Sequence, residues 1–416
     1  MKTVRFGIIG CGLMGHEFAS AVARWCHLTE VTVRPELVAI CNRRPDKFPW
    51  FEQNFSSIEQ ATTDYRELLA NPDVDAVYVA LPHHLHREVY CAAIEAGKHL
   101  LGEKPFGMNG RDFAAISACA QANPDVFVRC SSEFPFFPAA QRIGRLIEQQ
   151  AFGRILEVNS GFLHSSDLDP RKPQNWKRSQ AHNGEYGCLG DLGMHVCHVP
   201  LRSGWIPQNV RAILSNVFVE RPDGNGSKST CDTWDNATLL CEAVDPGNDH
   251  LFPLLLKTQR IAPGEKNSWY LEVMGTKGAA RFSTKNPKRL ALLDYRGGEQ
   301  IWGQIDMGYE AAFSAVTGSI FEFGFSDAFQ QMCAAFLYEL TTGNPVRTFA
   351  ACVTLEEVSL SHALFTSALE SHAQQRVVAV RPCETGRIAA PRGPHFAEVQ
   401  RSLSHHESTN PTSSHL

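Results

Sequence analysis

The sequence has no long apolar segment and no surplus of positive charge. No stretch approaches the roughly 20 consecutive apolar residues that a membrane-spanning helix needs, and MKTVRFGIIGCG at the start is apolar only briefly before glycines intervene. We therefore expect no export signal, no membrane partner and a cytoplasmic location. The 39 basic residues are fewer than the 44 acidic ones, so the chain lacks the broad positive field that binds nucleic acid.

Paired cysteines are also missing. Although the chain has 13 cysteines, none are spaced as C-x-x-C, and most lie in apolar runs such as LVAIC and DNATLLC. Disulfide frameworks and zinc fingers both depend on regular cysteine spacing. We therefore expect reduced, packed thiols, as a reducing compartment favours, and no metal site.

The length and composition indicate more than one folded domain. With 416 residues, 43% of them hydrophobic and 20% charged, the chain is too long for one hydrophobic core and ordinary in composition for a globular protein. Beyond Pro382 the sequence becomes rich in serine, proline and histidine. This change predicts a flexible tail over residues 384–416.

A glycine-rich turn follows the first predicted strand. Gly10, Gly12 and Gly15 form G-x-G-x-x-G between an apolar strand and an amphipathic helix that starts near Leu13 and Met14. In that context the glycines admit a pyrophosphate to the helix N-terminus. The segment therefore predicts dinucleotide binding.

The end of the second predicted strand, ELVAICNRR, bears on the choice of cofactor. An acidic residue at this position commonly holds the adenosine ribose, whereas an arginine can pair with a 2′-phosphate. Here Asn42 can still hydrogen-bond a ribose, and Arg43 can pair with a phosphate or stack on adenine. The sequence leaves both NAD and NADP open.

Residues 65–105 alternate between helical and strand patterns, which is typical of a parallel sheet. Ligands bind beyond the carboxyl ends of such strands. The residues expected to face the cofactor there follow the strands DAVYVAL and HLLG, and they are Leu81, Pro82, His83, His86, Glu103 and Lys104.

Five motifs occur in order between residue 4 and about residue 282, namely GIIGCGLMG, VDAVYVALPHHLH, AGKHLLGEKPFG, GCLGDLGMH and LEVMGTKGAARF. In these motifs the sequence resembles the Gfo/Idh/MocA family, the glucose-fructose oxidoreductase and inositol dehydrogenase relatives. The resemblance implies an α/β fold with a Rossmann dinucleotide-binding domain over residues 1–128. It also implies a second α/β domain over residues 129–383, whose large, open, mostly antiparallel sheet forms the interface of a homodimer or homotetramer.

The same resemblance implies that Lys104 of the E-K-P motif and Asp191 and His195 of the D-x-x-x-H motif form the catalytic group. Two positions depart from the family pattern. His83 stands where an asparagine is frequent, and Asn42 stands where an acidic residue is common.

Oxidation of a secondary alcohol needs a base for the hydroxyl proton and a cation for the developing alkoxide. Asp191 and His195 are four residues apart, so they share one helix face. We expect His195 to be a base with a pKa near neutrality, Lys104 to bind the same oxygen with a pKa lowered beside a bound nicotinamide, and Asp191 to orient the substrate or the imidazole. Gly187, Gly190 and Gly193 suggest that a ligand ring approaches this helix.

Two other interpretations of this helix exist. It could be a purely structural helix. A zinc site is the other possibility, with ligands from His195, Cys197, His198, Cys188 and the HHLH run over residues 83–86, although their spacing fits no familiar finger.

The second half of the chain is rich in long strand patterns, several of them alternating, which predicts a sheet with one face covered by helices. Two helical segments, SDAFQQMCAAFLYELTT and TLEEVSLSHALFTSALESHA, are expected to pack on it, the first of them ending at Gly343.

A polar segment, residues 167–187, precedes the D-x-x-x-H helix. Trp176 could stack on a sugar ring, and Arg171, Lys172, Lys177 or Arg178 could contact an anionic substituent. The alternative is a loop whose charges only keep it solvated.

These observations lead to one prediction and two alternatives. The prediction is an NAD(P)-dependent dehydrogenase that transfers a hydride between nicotinamide and a secondary hydroxyl of a sugar, glycoside or polyol, with Lys104, Trp176, Asp191 and His195 contacting the substrate. An NAD-dependent glycoside hydrolase that oxidises its substrate transiently would use the same residues. The minor alternative is a non-catalytic dinucleotide sensor.

Overall fold

A computed structural model describes residues 1–308, 310–318 and 320–381. The predicted tail over residues 384–416 lies outside them. The strands are β1 Lys2–Ile9, β2 Val33–Cys41, β3 Gln60–Thr62, β4 Ala76–Val79, β5 His99–Gly102, β6 Val128–Cys130, β7 Ile155–Leu163, β8 Pro207–Ser215, β9 Glu220–Pro222, β10 Lys228–Thr230, β11 Asn236–Asp245, β12 His250–Gln259, β13 Ser268–Gly275, β14 Gly278–Ser283, β15 Arg289–Asp294, β16 Gly303–Asp306 and β17 Val378–Ala379.

The helices are α1 Leu13–Ala23, α2 Phe48–Asn54, α3 Tyr65–Ala70, α4 His86–Glu95, α5 Gly110–Ala122, α6 Pro138–Glu148, α7 Gln180–Asn183, α8 Cys188–Arg202, α9 Phe325–Thr342 and α10 Leu355–Gln374. None of these helices, within the described residues, is long and apolar enough to cross a membrane.

The first sheet is parallel and has six strands in the order β3-β2-β1-β4-β5-β6. Its central strand β4 is buried along its whole length, because a parallel sheet has helices on both faces and therefore excludes water from both. The direction of the strand order reverses between β1 and β4, and ligands of such sheets bind at that point. The predicted parallel sheet is confirmed, and its last strand extends to Cys130, two residues past the predicted boundary at 128.

The second sheet has nine strands in the order β16-β15-β14-β13-β7-β12-β11-β8-β17. Only β7 and β12 pair in parallel, and the other neighbours are antiparallel. Buried and exposed residues alternate along β11, since α8 and α10 cover one face of the sheet. The predicted large, mostly antiparallel sheet is therefore confirmed.

Helix α9 does not pack on the second sheet, and that prediction is wrong. Its Phe336 and Phe329 rings lie 6.1 and 6.0 Å from the rings of Phe6 on β1 and Tyr78 on β4. The Gln330 amide donates to two carbonyl oxygens at the end of α1. The parallel sheet needs cover beside α1, and a helix from the far end of the chain provides it. The predicted end of α9 is confirmed, because Gly343 adopts a left-handed conformation with φ of 75°.

Helix α8 is buried along its whole length, and its glycines make room for protein atoms. An added Cβ at Gly193 would lie 2.4 Å from the Phe365 ring of α10, and one at Gly187 would lie 2.6 Å from the Trp234 nitrogen. The expectation that these two glycines admit a ligand ring is therefore wrong. At Gly190 the nearest atom would be 3.4 Å away, an ordinary contact.

Two alanine substitutions in α8 test this packing. We expect Gly193→Ala to destabilise the protein by about 1 to 3 kcal/mol through overpacking against Phe365. Gly190→Ala is the matched control, and we expect it to be neutral or to stabilise by up to about 1 kcal/mol, since alanine favours a helix. Thermal unfolding of the three proteins measures both effects, and an equal midpoint for the two variants contradicts the packing argument.

Candidate active site

The three glycines of the first turn have different environments. An added Cβ would lie 2.2 Å from the Ala80 oxygen at Gly10 and 2.2 Å from the Gly10 oxygen at Gly15, but would meet nothing within 4 Å at Gly12. Gly10 and Gly15 therefore allow close backbone packing, and Gly12 leaves open space in front of α1. No side chain caps α1, so its first amide groups are available to an anion. The turn that contains Leu13 and Met14 thus fits a dinucleotide pyrophosphate.

Asn42 has a structural role that the sequence did not indicate. Its side-chain oxygen accepts a hydrogen bond from the Cys11 amide at 3.2 Å, and its nitrogen donates to the Arg44 oxygen at 3.0 Å. The amide therefore braces the glycine turn against the end of β2. Arg43 is exposed and makes no hydrogen bond or ion pair with any described residue.

The turn that contains Leu81 and Pro82 places two histidines differently. His83 is buried, donates from Nδ1 to the Asn183 backbone oxygen at 3.0 Å, and has its Nε2 4.0 Å from an Asp191 carboxylate oxygen. His86 instead bonds the Leu81 oxygen at 3.0 Å and stacks on Tyr90. Burial lowers the pKa of His86 to about 3. His83 therefore lies beside Asp191, whereas His86 stabilises the turn through the Leu81 oxygen.

Glu103 is buried at the carboxyl end of β5, where two tyrosines hold it. The Tyr78 hydroxyl donates to its carboxylate at 2.7 Å, and the Tyr90 hydroxyl donates to its backbone oxygen at 2.6 Å. A cis peptide bond joins the next two residues, Lys104 and Pro105. These contacts position Lys104 at the edge of the first sheet.

The carboxylate of Asp191 is the centre of a buried cluster of charges. Lys104 Nζ lies 2.9 Å from Asp191 Oδ1 and also donates to the Asp191 backbone oxygen at 2.6 Å. Lys177 Nζ lies 3.0 Å and an Arg260 nitrogen 3.1 Å from Oδ2. Burial alone would raise the pKa of Asp191, but the charges of Lys104, Lys177 and Arg260 outweigh it and lower the pKa well below its usual range.

The cluster contains one residue that the sequence analysis missed. Arg260 follows β12 directly and is buried, and its other nitrogen donates to the Lys177 oxygen at 3.0 Å. The one feature of the sequence that points to Arg260 is its position directly after a strand. The charge of Asp191 also raises the pKa of Lys104, against the effect of burial, so without a bound nicotinamide the predicted lowering does not occur and Lys104 is an ammonium group.

His195 contacts a different set of residues from Asp191. Its Nδ1 lies 3.1 Å from Ser132 Oγ and 4.0 Å from a Glu133 carboxylate oxygen. The rings of Phe134 and Phe162 stand edge-on to the imidazole. Asp191 therefore does not orient the imidazole, and the sequence analysis missed Ser132 and Glu133, which follow β6 at the same edge of the sheet as Lys104.

The electrostatics of His195 also differ from the expectation. Burial and then the charge of Lys104 lower its pKa well below the usual value, so the imidazole is neutral rather than poised near pH 7. Its Nε2 has no hydrogen-bond partner among the described residues. The neutral ring thus has one nitrogen without a partner among the described residues. The nearby charge of Lys104 disfavours protonation of the ring.

The strap, residues 167–187, is anchored rather than merely solvated. Arg178 is completely buried and pairs with Asp167 and Asp235. These ion pairs hold the turn in which the Trp176 ring stands edge-on to His83, with 4.9 Å between ring centroids. Of the four cations predicted to meet an anionic substituent, only Lys177 reaches Asp191; Arg178 is enclosed, and Lys172 and Arg171 pair with Asp167 and Asp169.

The described residues contain no group of three histidine, cysteine, aspartate or glutamate side chains arranged to hold a metal ion. His195, Cys197 and His198 are all buried in α8. Both ring nitrogens of His198 lack a hydrogen-bond partner there.

Comparisons with solved structures support this fold. The chain matches an oxidoreductase domain protein from Kribbella flavida with a TM-score of 0.81 and 22% identity, over 92% of this chain and 100% of that one. It also matches levoglucosan dehydrogenase in complex with NADH and L-sorbose, with a TM-score of 0.79 and 24% identity, over 92% of this chain and 100% of that one. At these identities the matches show a shared fold.

The chain is also similar in sequence to a named dehydrogenase and a named reductase. Levoglucosan dehydrogenase of Pseudarthrobacter phenanthrenivorans is 27% identical over 306 residues, which cover 70% of this chain and 76% of that protein. The dTDP-3,4-didehydro-2,6-dideoxy-alpha-D-glucose 3-reductase of Actinomadura kijaniata is 32% identical over 192 residues, or 46% of this chain and 53% of that protein.

Two family models cover well over half of the chain. The oxidoreductase family model with an NAD-binding Rossmann fold matches residues 4–129, and the GFO/IDH/MocA C-terminal domain model matches residues 140–281. The two matched segments thus correspond, in order, to the two domains of one enzyme family. The chain belongs to the Gfo/Idh/MocA family of NAD-dependent oxidoreductases.

Proposed function

We propose that this protein is a dehydrogenase that transfers a hydride between a nicotinamide cofactor and a secondary hydroxyl of a sugar, glycoside or polyol. The observation that carries the proposal is the position of Lys104 and His195. An ammonium group and a neutral imidazole with a free Nε2 lie in one buried site, beyond the carboxyl ends of the parallel strands. The names of the relatives, a levoglucosan dehydrogenase and a deoxysugar reductase, support a carbohydrate substrate.

A bound NAD(P)⁺ supplies the hydride acceptor. The open space at Gly12 and the free amides of α1 would hold its pyrophosphate. Lys104 donates a hydrogen bond to the substrate oxygen and stabilises the charge that develops there. His195 Nε2 accepts the hydroxyl proton. Asp191 keeps Lys104 charged and in place through the 2.9 Å ion pair.

The strap supplies the substrate-binding side of the site. Trp176 is partly exposed beside His83, and its ring can pack on the apolar face of a sugar. The Lys177 side chain is 39% exposed, against 4% for the Asp191 side chain that it contacts. The Lys177 ammonium makes two hydrogen bonds to Asp191, which leaves one N–H for a second substrate hydroxyl, whereas Arg260 is buried.

Substitution of the two central groups tests the proposal. We expect Lys104→Met and His195→Asn each to lower kcat by about 10² to 10⁴-fold, as loss of a general acid or base does, while the affinity for NAD stays nearly unchanged. The cofactor reduction at the nicotinamide absorbance band, measured against a panel of sugars and polyols, gives kcat. Fluorescence titration gives the cofactor affinity.

His182→Asn is the matched control, because His182 is exposed and its side chain contacts Ser179 and the His84 ring rather than Lys104, Asp191 or His195 among the described residues. Full activity in Lys104→Met or His195→Asn contradicts the assigned roles. Aryl glycosides belong in the panel: phenol release without net NADH formation identifies the redox-neutral glycoside hydrolase instead. No turnover with any substrate favours the sensor.

Arg43 tests the choice between NAD and NADP. We propose that Arg43, which is exposed and has no ion pair among the described residues, binds the 2′-phosphate of NADP, because the Asn42 amide is occupied by the backbone. We expect Arg43→Ala to weaken NADP binding by about 10 to 100-fold, equivalent to a charged hydrogen bond, and to leave NAD binding unchanged. Arg44→Ala is the control, since Arg44 lies 3.6 Å from Asp46. Unchanged NADP affinity in Arg43→Ala refutes the assignment.

We also propose that the open face of the second sheet joins subunits into a homodimer or homotetramer. Ile213, Leu240 and Leu251 lie exposed on the three neighbouring strands β8, β11 and β12, and Leu240 pairs with the partly exposed Leu255 of β12. Exposed apolar residues on an open sheet face are typical of interfaces. Light scattering should give a multiple of the chain mass, and Leu240→Arg should lower it. A monomer in the unmodified protein contradicts this proposal.

A further inference from the structure

The two nitrogens of His195 face different surroundings. Nε2 has no partner among the described residues, and Nδ1 faces Ser132 Oγ at 3.1 Å and a Glu133 carboxylate oxygen at 4.0 Å. An imidazole that accepts a substrate proton at Nε2 becomes positively charged unless Nδ1 gives up a proton. Burial and the charge of Lys104 disfavour this imidazolium, so a proton acceptor on the Nδ1 side stabilises the ring after it has taken the substrate proton.

We propose that Glu133 is this second acceptor, and that it exchanges a proton with His195 Nδ1 through the Ser132 hydroxyl, because 4.0 Å from Nδ1 to the Glu133 carboxylate is too long for direct transfer. The proposal rests on the proposed dehydrogenase function. In oxidation, the substrate C–H supplies the hydride and the substrate O–H proton moves to His195 Nε2. The Nδ1 proton then moves to the Glu133 carboxylate, which releases it to solvent, so the balance is alcohol plus NAD(P)⁺ to ketone, NAD(P)H and one proton. Reduction runs the same path from protonated Glu133.

Asp191 cannot take this role. Both of its oxygens are held by cations, Lys104 and Lys177 on one and Lys177 and Arg260 on the other. These charges lower its pKa well below the usual range, against the opposing effect of burial, so it holds no proton at the pH of turnover and does not accept one readily.

Glu133 has the opposite environment. It is 4% exposed, and burial followed by the nearby charge of Glu103 raises its pKa to about 8. Ionisable groups face it from every surrounding element: Glu17 on α1, Tyr78 on β4, Glu103 and Lys104 after β5, Cys130 on β6, His195 on α8 and Cys333 on α9. The carboxyl group is therefore protonated at neutral pH and ionises at slightly alkaline pH.

The expected signature is one titration with opposite effects on the two directions of the reaction. Oxidation needs the Glu133 carboxylate, so its kcat should rise with pH as Glu133 loses its proton. Reduction needs the protonated acid, so its kcat should fall over the same range. In E133Q both dependences should disappear, with kcat for oxidation lowered by about 100-fold above pH 8, at the low end of general base catalysis.

E133D keeps a carboxyl group and should retain a pH dependence, shifted in position. Glu356→Gln is the matched control. Glu356 on α10 also has a pKa raised to about 7, by burial and by Glu357 rather than by any group at the active site. The control should leave both pH profiles unchanged. Equal pH profiles for wild type and E133Q overturn the proposal.

A second measurement does not depend on turnover. Infrared difference spectra of the cofactor-free protein, recorded across the pH range, should show a protonated carboxyl band that disappears near pH 8 in wild type and is missing in E133Q. The ¹⁵N chemical shifts of the His195 ring should change over the same range in wild type only. If wild type oxidises no sugar or polyol, the proposed function fails. If the His195 ¹⁵N chemical shifts have the same pH dependence in wild type and E133Q, the proton exchange itself is rejected.

Discussion

The buried ion cluster around Asp191 is the interaction on which the active site depends. A carboxylate taken out of water is unfavourable unless cations and hydrogen bonds replace its hydration. Here the cations come from three parts of the chain: Lys104 from the edge of the parallel sheet, Lys177 from the strap, and Arg260 from the end of β12 in the second sheet. One carboxylate on α8 therefore connects both sheets and the strap. Loss of a partner in such a buried pair costs about 3 to 5 kcal/mol, so the charges hold this geometry as well as tuning the chemistry.

The same site contains ionisable groups whose environments push their pKa values apart. Three cations keep Asp191 ionised, whereas burial with few counter-charges keeps Glu133 protonated at neutral pH. The carboxylate of Asp191 in turn keeps Lys104 charged, and the charge of Lys104 helps to keep His195 neutral. Neighbouring groups whose pKa values differ in this way can act as acid, base and electrostatic stabiliser in one site. The division of roles follows from position in the fold rather than from residue type.

Much of the site could be predicted from local patterns. The errors concern contacts between residues that are distant in the sequence. The strand-end rule located Lys104 and His83, and it would have located Ser132 and Glu133 after β6 if that short strand had been recognised. Helical spacing correctly placed Asp191 and His195 on one buried helix, but it could not show that their partners differ. The spacing of Gly187 and Gly193 suggests access for a ligand, whereas the Trp234 backbone and the Phe365 ring occupy that space.

By itself, the sequence determined the features that depend on neighbours along the chain. These are the glycine turn in front of α1, the order of strands and helices in the first sheet, the alternation along β11, and the end of α9 at Gly343. Only the tertiary structure decided which distant residues meet: α9 against the first sheet, Arg260 and Lys177 on Asp191, and Ser132 and Glu133 at His195. Helix and turn hydrogen bonds and side-chain periodicity involve residues close together in the sequence and are visible there, whereas desolvation and charge pairing depend on residues that folding brings together from positions as far apart as 104 and 260.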